Sequence, residues 1–225
     1  MSNTKINRRN FIKQGLTGFG IVLSGQILLN TEAVPTEKSG DLDEFLALST
    51  DKLPKLKPTE DNILGPFHVN GAPFRGKVSH PAAKGEILLI KGRVFGFDTK
   101  RPLVNTSIDI WQADSEGNYD YGQNTTKTYY YRARLITDEN GNYEYETIHP
   151  GAYKLGQNFW RPPHIHYLIR HENYKTLITQ LYFSGDPHQK DDRFVKQSLI
   201  IDLQQVTSKQ GSYKLGVFDI VLEPE

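Results

Sequence analysis

Two histidines set one residue apart close a proline-rich stretch, Arg161-Pro162-Pro163-His164-Ile165-His166. Residues two apart on a strand point to one face, so His164 and His166 can offer two imidazoles to a single ion. A histidine pair alone is a weak signal, because a solvated strand face carries one at no cost. A zinc or ferrous site built on the pair wants a carboxylate as third ligand, which folding would have to bring in from elsewhere in the chain. What the sequence offers nearby is tyrosine: Tyr119 in Gly117-Asn118-Tyr119 and Tyr153 in Pro150-Gly151-Ala152-Tyr153. Gly117 and Gly151 give their loops the freedom to swing a side chain inward. A lone loop tyrosine is otherwise a packed aromatic with its hydroxyl on backbone. The chain has no cysteine, so any metal is held by nitrogen and oxygen.

The elements that must position these residues read as strands. Runs rich in Val, Ile, Thr, Tyr and Phe recur at 87–97, 106–112, 129–137, 143–148, 165–170, 176–183 and 213–222. Ile108 and Ile110 alternate with Ser107 and Asp109, the pattern of a strand with one buried face. Turn chemistry separates the runs at Asp98-Thr99-Lys100-Arg101-Pro102 and Asp138-Glu139-Asn140-Gly141. Seven or so strands at this spacing predict an all-β fold, an antiparallel sandwich or barrel with long active-site loops. The stretch 149–163 breaks the rhythm as a Pro/Gly/aromatic loop, the kind of segment on which binding and catalysis concentrate. His68 and His149 are candidates for a pocket rim, and Tyr129-Tyr130-Tyr131 reads as part of a strand with Tyr130 on the opposite face from its neighbours.

Residues 1–30 hold Lys5, Arg8, Arg9 and Lys13, no acid, and then a weakly apolar, glycine-containing run at 15–29. A basic segment before a short apolar one is the layout of an export signal. Asn7-Arg8-Arg9-Asn10-Phe11-Ile12-Lys13 resembles the twin-arginine signal, which implies the twin-arginine translocase as a transient partner. The expected location is therefore outside the inner membrane, periplasmic or anchored at its outer face. Residues 31–61 read as a linker or arm with a short helical candidate at 41–48, and 62–225 as the β domain. The chain's formal charge of +1 becomes −3 without the four basic groups of the signal region. A body that lacks a basic stripe gives no ground for nucleic-acid binding. Open sheet edges leave self-association as a homo-oligomer available.

Four segments together resemble the intradiol ring-cleavage dioxygenases, and among them the catalytic subunit of the protocatechuate enzymes. They are Ile110-Trp111-Gln112-Ala113-Asp114-Ser115-Glu116-Gly117-Asn118-Tyr119, Thr147-Ile148-His149-Pro150-Gly151-Ala152-Tyr153, Trp160-Arg161-Pro162-Pro163-His164-Ile165-His166, and the run from Leu177 through Gln180 to Pro187. Leu64-Gly65-Pro66-Phe67 fits the same family's entry to the barrel. The resemblance implies that Tyr119, Tyr153, His164 and His166 ligate one Fe(III), with Tyr153 the ligand that leaves when substrate arrives. It implies that Arg161 and Gln180 face the substrate, a catechol-type aromatic cleaved by O2 between its two hydroxyl-bearing carbons. Phenolates are hard anionic donors that favour ferric over ferrous iron, which agrees with that ligand set. Arg161 keeps its charge at any working pH and can stabilise an electron-rich ring carbon; its alternative is a surface ion pair. Leu155 and Pro163 depart from the family pattern, which puts substrate choice in question more than the metal. Two rival readings remain: an exported β-sandwich binding module without chemistry, and a zinc or Fe(II) site that uses the histidine pair with a distal carboxylate.

Overall fold

The computed structural model describes residues 56–120, 129–157, 159–208 and 211–225. The signal region, the helical candidate at 41–48 and most of the arm lie outside the described residues. From residue 56 the chain runs extended, and Thr59 exchanges hydrogen bonds with the backbone of Val221 at 3.0 and 2.9 Å.

Two five-stranded sheets face each other. The first is built on β1 (Ile87–Gly96), which pairs on one side with β4 (Asn142–Ile148) and on the other with β11 (Gly211–Val217) and then β12 (Ile220–Leu222). β10 (Leu203–Ser208) closes that side against β11. The second sheet runs in the order β3 (Arg132–Ile136), β2 (Ser107–Gln112), β7 (His164–Arg170), β8 (Leu177–Phe183), β9 (Ile200–Ile201). A separate hairpin joins β5 (Tyr153–Lys154) to β6 (Trp160–Arg161), so the segment 149–163 is not all loop.

The all-β expectation holds, but the antiparallel one holds only in part. β1 runs parallel to β11 and β12, and β8 parallel to β9. The antiparallel reading assumed that sequence neighbours pair through short turns. The last strands return instead to strands far back in the chain, and the direction of such a pair is set by the long path between them. The expected strand at 213–222 is also two strands, interrupted at Phe218 and Asp219.

Between the sheets lies one core, in which Leu88, Ile90 and Val94 of β1 meet Ile108, Ile110, Ile165, Tyr167, Ile169 and Leu181 of the second sheet. The β-branched side chains suit a pleated, packed surface. Tyr145 and Tyr167 share a hydrogen bond between their buried hydroxyls, so the aromatic part of the core leaves neither polar end unpaired. Every residue of β2 from Ile108 to Gln112 is buried, including those that alternate away from the core. The second sheet is therefore covered on its outer face too, by loops, and that covered face is where the histidines lie.

The expected strand at 129–137 begins only at Arg132, because Tyr129 and Tyr131 take left-handed backbone at φ 52° and 57°. Arg75 holds this irregular turn by donating to the carbonyls of Tyr129 and Arg132. The turn at 138–141 follows its chemistry: Gly141 has φ 72°, and Asp138 Oδ1 accepts from the backbone N–H of Asn140 and Asn142 at 2.9 and 2.7 Å. In the turn at 98–102 the left-handed residue is Lys100, at φ 55°, and neither Asn nor Gly.

Candidate metal and substrate site

β7 carries Ile165, Tyr167 and Ile169 into the core, and the period of two turns His164 and His166 to the outer face. Opposite them on β8 stand Tyr182 and Gln180, and on β2 Trp111 faces His166. The indole of Trp111 stacks on the His166 ring at 4.8 Å and 7° between planes, which fixes that imidazole's orientation. Gly65, at φ 70°, lets the Leu64-Gly65-Pro66-Phe67 segment pass directly over His166; a Cβ there would sit 3.1 Å from the ring.

The two tyrosines arrive on loops that are packed against one another. A Cβ on Gly151 would lie 2.4 Å from the Ser115 carbonyl oxygen, and one on Gly117 would lie 2.4 Å from the Ala152 carbonyl oxygen. Gly151 N–H donates to the Asp114 carbonyl at 2.8 Å, and Asp114 N–H to the Asn118 carbonyl at 2.8 Å. The glycines thus serve close approach of two backbones, and not the looseness expected from the sequence. Gly151→Ala should cost on the order of 2 kcal/mol by overpacking. Thermal unfolding would show this as a fall of roughly 4–8 °C in Tm. A variant as stable as the parent would mean that the two loops do not depend on this contact.

The resulting geometry brings the four candidates together. His164 Nε2 lies 3.2 Å from His166 Nε2, and the Tyr119 hydroxyl 3.4 Å from His164 Nε2. The Tyr153 ring centroid is 5.6 Å from that of Tyr119 and 5.7 Å from that of His164. Phe67 stacks on Tyr119 at 4.0 Å, and Arg132 donates to the carbonyls of Phe67 and Asp120 at 2.6 and 2.8 Å, which ties down the chain on both sides of that ring.

The donor set fits a metal ion. His164 Nδ1 bonds to the Pro162 carbonyl at 2.7 Å, which leaves Nε2 with its lone pair directed at His166. Burial, with Arg161 adding to it, drives the His164 pKa down to about 3, and burial drives His166 well below the usual histidine value. With no cation present, neutral His166 can donate its Nε2–H to the His164 lone pair at 3.2 Å; with a cation present, both Nε2 lone pairs can be turned on it. His166 Nδ1 is buried and has no hydrogen-bond partner among the described residues. Burial, and next to it the Tyr153 oxygen, pushes the Tyr119 phenol far above its ordinary pKa. Its ionisation therefore calls for a strong cation beside it, and a trivalent one with two phenolates is close to balanced in charge. Among the described residues no group of three or more His, Cys, Asp or Glu gathers, so the carboxylate that a zinc or ferrous triad would use is not beside the pair.

Arg161 and Gln180 also converge here. Arg161 is 3% exposed, so the surface ion pair is excluded; it forms a buried one. Its Nε donates to Asp192 Oδ2 at 2.5 Å, and its Nη2 to Gln180 Oε1 at 2.7 Å and to the Tyr182 hydroxyl at 3.2 Å. Gln180 Nε2 donates in turn to the Ile63 carbonyl at 2.8 Å. Burial raises the Tyr153 pKa, while the Arg161 charge and a hydrogen bond from it act to lower it. Asp192, Tyr182 and Arg132 were not legible as site residues in the sequence. His149 is not on the rim: it lies against Phe183 at 4.7 Å, its Nδ1 at 2.9 Å from the Pro150 carbonyl. His68 sits edge-on to Trp111 at 4.7 Å, behind the His166 ring.

A cavity of about 490 Å³ opens beside Tyr153 and Arg161, walled by Ile63, Phe67, Leu155 and Phe194. A second depression of about 280 Å³, beside Thr59 and Phe218, contains none of the candidate residues.

Residues 63–224 match a family model described as dioxygenase. The chain is 36% identical over 183 residues to a 6-chlorohydroxyquinol 1,2-dioxygenase of Cupriavidus pinatubonensis, a match that covers 74% of this chain and 65% of that protein. It is 32% identical over 179 residues to a protocatechuate 3,4-dioxygenase beta chain of Burkholderia cepacia, covering 68% and 75% of the two. The fold is similar to the crystal structure of a 3-chlorocatechol 1,2-dioxygenase from Rhodococcus opacus 1CP, with a TM-score of 0.70 at 26% identity, covering 81% of this chain and 78% of that one.

Proposed function

The chain belongs to the intradiol ring-cleavage dioxygenase family, and from that membership we propose that it is an Fe(III)-dependent enzyme which inserts both atoms of O2 into a catechol-type aromatic. Cleavage falls between the two hydroxyl-bearing carbons and gives a muconate-type diacid. The observation that carries the reading is the convergence on His164 Nε2 of His166 Nε2 at 3.2 Å and the Tyr119 hydroxyl at 3.4 Å, with Tyr153 alongside. These four residues would hold the ion. Bound there, ferric iron supplies Lewis-acid chelation of the diol and withdraws electron density from the ring so that it can react with O2.

The remaining work falls to the chain's own groups. Tyr153, a phenolate while it holds the ion, would give up its position to the incoming diol and take one of the diol's two protons, the other passing to solvent base. Arg161 is positioned to receive that tyrosine, since both line the cavity and the Arg161 charge acts to lower the phenol's pKa. Arg161 lines the same cavity and its partner Asp192 does not, so the guanidinium end of this neutral pair faces the ring and would stabilise the electron-rich carbon under attack as a local dipole. Gln180 accepts from the Arg161 guanidinium and anchors the Ile63 segment, which fixes that wall of the cavity in place. Export through the twin-arginine route, with the metal loaded before transport, remains part of the same proposal.

The test is the colour and metal content of the purified protein. Tyrosinate on Fe(III) absorbs strongly in the visible, so one iron per chain and a band that shifts on adding catechol are expected. Removing the iron with a chelator should abolish both the band and oxygen uptake. Stoichiometric zinc in a colourless protein would contradict the assignment, as would full activity after iron removal.

A further inference from the structure

We infer that the cavity beside Tyr153 receives an uncharged aryl or alkyl arm attached to the catechol ring, so that the substrate is larger than a single-ring diol. The inference rests on the ring-cleavage reading above and names its substrate class. Three observations carry it. The cavity is continuous with the site, since Tyr153 and Arg161 form part of its lining, and its volume of about 490 Å³ is that of clefts which hold multi-ring ligands. Its walls are Ile63, Pro66, Phe67, Leu155, Phe159 and Phe194, and at its mouth Ile63 and Leu155 remain 37% and 52% exposed. An apolar arm covers that surface, whereas a bare catechol leaves it in water.

The charges argue for an arm without a carboxylate. Arg161, the cation deepest in the cavity, is committed to Asp192, Gln180 and Tyr182, and the Arg161–Asp192 pair is neutral as a unit. A ring carboxylate placed there would be desolvated without a counter-ion of its own. At the mouth, exposed Asp191 and Arg193 carry opposite charges and confer no preference for an anion. The apolar wall is also preformed: Phe194 is packed by the guanidinium groups of Arg161 and Arg193, each 4.9 Å from its ring centroid.

The experiment measures oxygen uptake and ring-opened product from the iron-loaded full chain with catechol, 4-methylcatechol, 4-phenylcatechol and 3,4-dihydroxybenzoate. The expected kcat/KM for 4-phenylcatechol exceeds that for catechol by about tenfold or more, mainly through KM, a ratio at the low end of what a single methylene decides in an apolar pocket. 3,4-Dihydroxybenzoate should fall below 4-methylcatechol. Leu155→Asp, at an exposed position that tolerates a polar side chain, should reduce the 4-phenylcatechol to catechol ratio about tenfold by the same reasoning. Calorimetric titration of the iron-free chain with 4-phenylphenol gives a readout independent of turnover: the parent should bind, and Leu155→Asp should bind more weakly. Equal efficiency for catechol and 4-phenylcatechol, or a preference for 3,4-dihydroxybenzoate, overturns the substrate class and leaves ring cleavage standing. Failure of iron-loaded protein to cleave any of the four overturns the reading beneath it.

Discussion

Asp192→Ala is expected to destabilise the fold by about 3–5 kcal/mol, the usual effect of removing one partner from a buried ion pair. Asp192 and Arg161 have side chains 0% and 3% exposed, and their contact is 2.5 Å. The alanine variant leaves a guanidinium in the interior with only the neutral oxygens of Gln180 and Tyr182 to face. It also deletes the acceptor of the Phe194 N–H, at 2.8 Å from Asp192 Oδ1, so the cavity wall loosens with the charge pair. Asp192→Asn keeps an oxygen for that N–H and should cost less. Denaturant unfolding of the two single variants, Arg161→Ala, and the double Arg161→Ala/Asp192→Ala separates the pair from its surroundings. The double variant should be less damaged than the sum of the singles by more than about 1 kcal/mol. An Asp192→Ala protein within about 0.5 kcal/mol of the parent would mean that the pair is hydrated and does little for the fold.

Asp192 also marks where the sequence stops being readable. His164 and His166 could be assigned to one face because the strand period is local, and the parity that aims them outward is the same parity that sends Ile165 and Tyr167 into the core. Tyr119 and Tyr153 could be singled out as candidates, but nothing in the sequence reveals that Gly117 and Gly151 bring their loops into backbone contact, since that depends on two segments more than thirty residues apart. Asp192 sits in Asp191-Asp192-Arg193, where any acid reads as solvated; only the fold shows that Asp191 is exposed and Asp192 is 4% exposed against Arg161. The parallel pairing of β1 with β11 and β12 was hidden for a similar reason, since hydropathy fixes which residues face inward but carries no record of strand direction. The left-handed turn at Tyr129 and Tyr131 was hidden by propensity itself: three consecutive tyrosines favour a strand, and the tertiary hold of Arg75 overrides them.

Tyr119→Phe should separate the needs of the fold from those of the metal. Among the described residues the Tyr119 hydroxyl has one hydrogen-bonding approach, 3.4 Å to His164 Nε2, while its ring keeps the stacking on Phe67 at 4.0 Å. A long hydrogen bond of that kind contributes little, so the iron-free variant should unfold within about 1 kcal/mol of the iron-free parent. Iron changes the comparison. A ligand that binds only the folded state stabilises it by about 2.7 kcal/mol at a concentration one hundred times its Kd, so the parent should gain stability on loading. The phenylalanine variant lacks an anionic oxygen that balances a trivalent ion, and it should lose most of that gain together with the visible band. Ring cleavage should fall by about a hundredfold or more, the scale seen when a charge-stabilising group is removed from an active site. Tyr153→Phe supplies the contrast: a phenol that leaves when the diol arrives is less essential to holding the ion, so this variant should retain iron and part of the absorption while turning over slowly. If Tyr119→Phe binds iron as the parent does and keeps the same absorption, the phenolate on the metal is that of Tyr153 alone, and Tyr119 is only the aromatic that packs beneath Phe67.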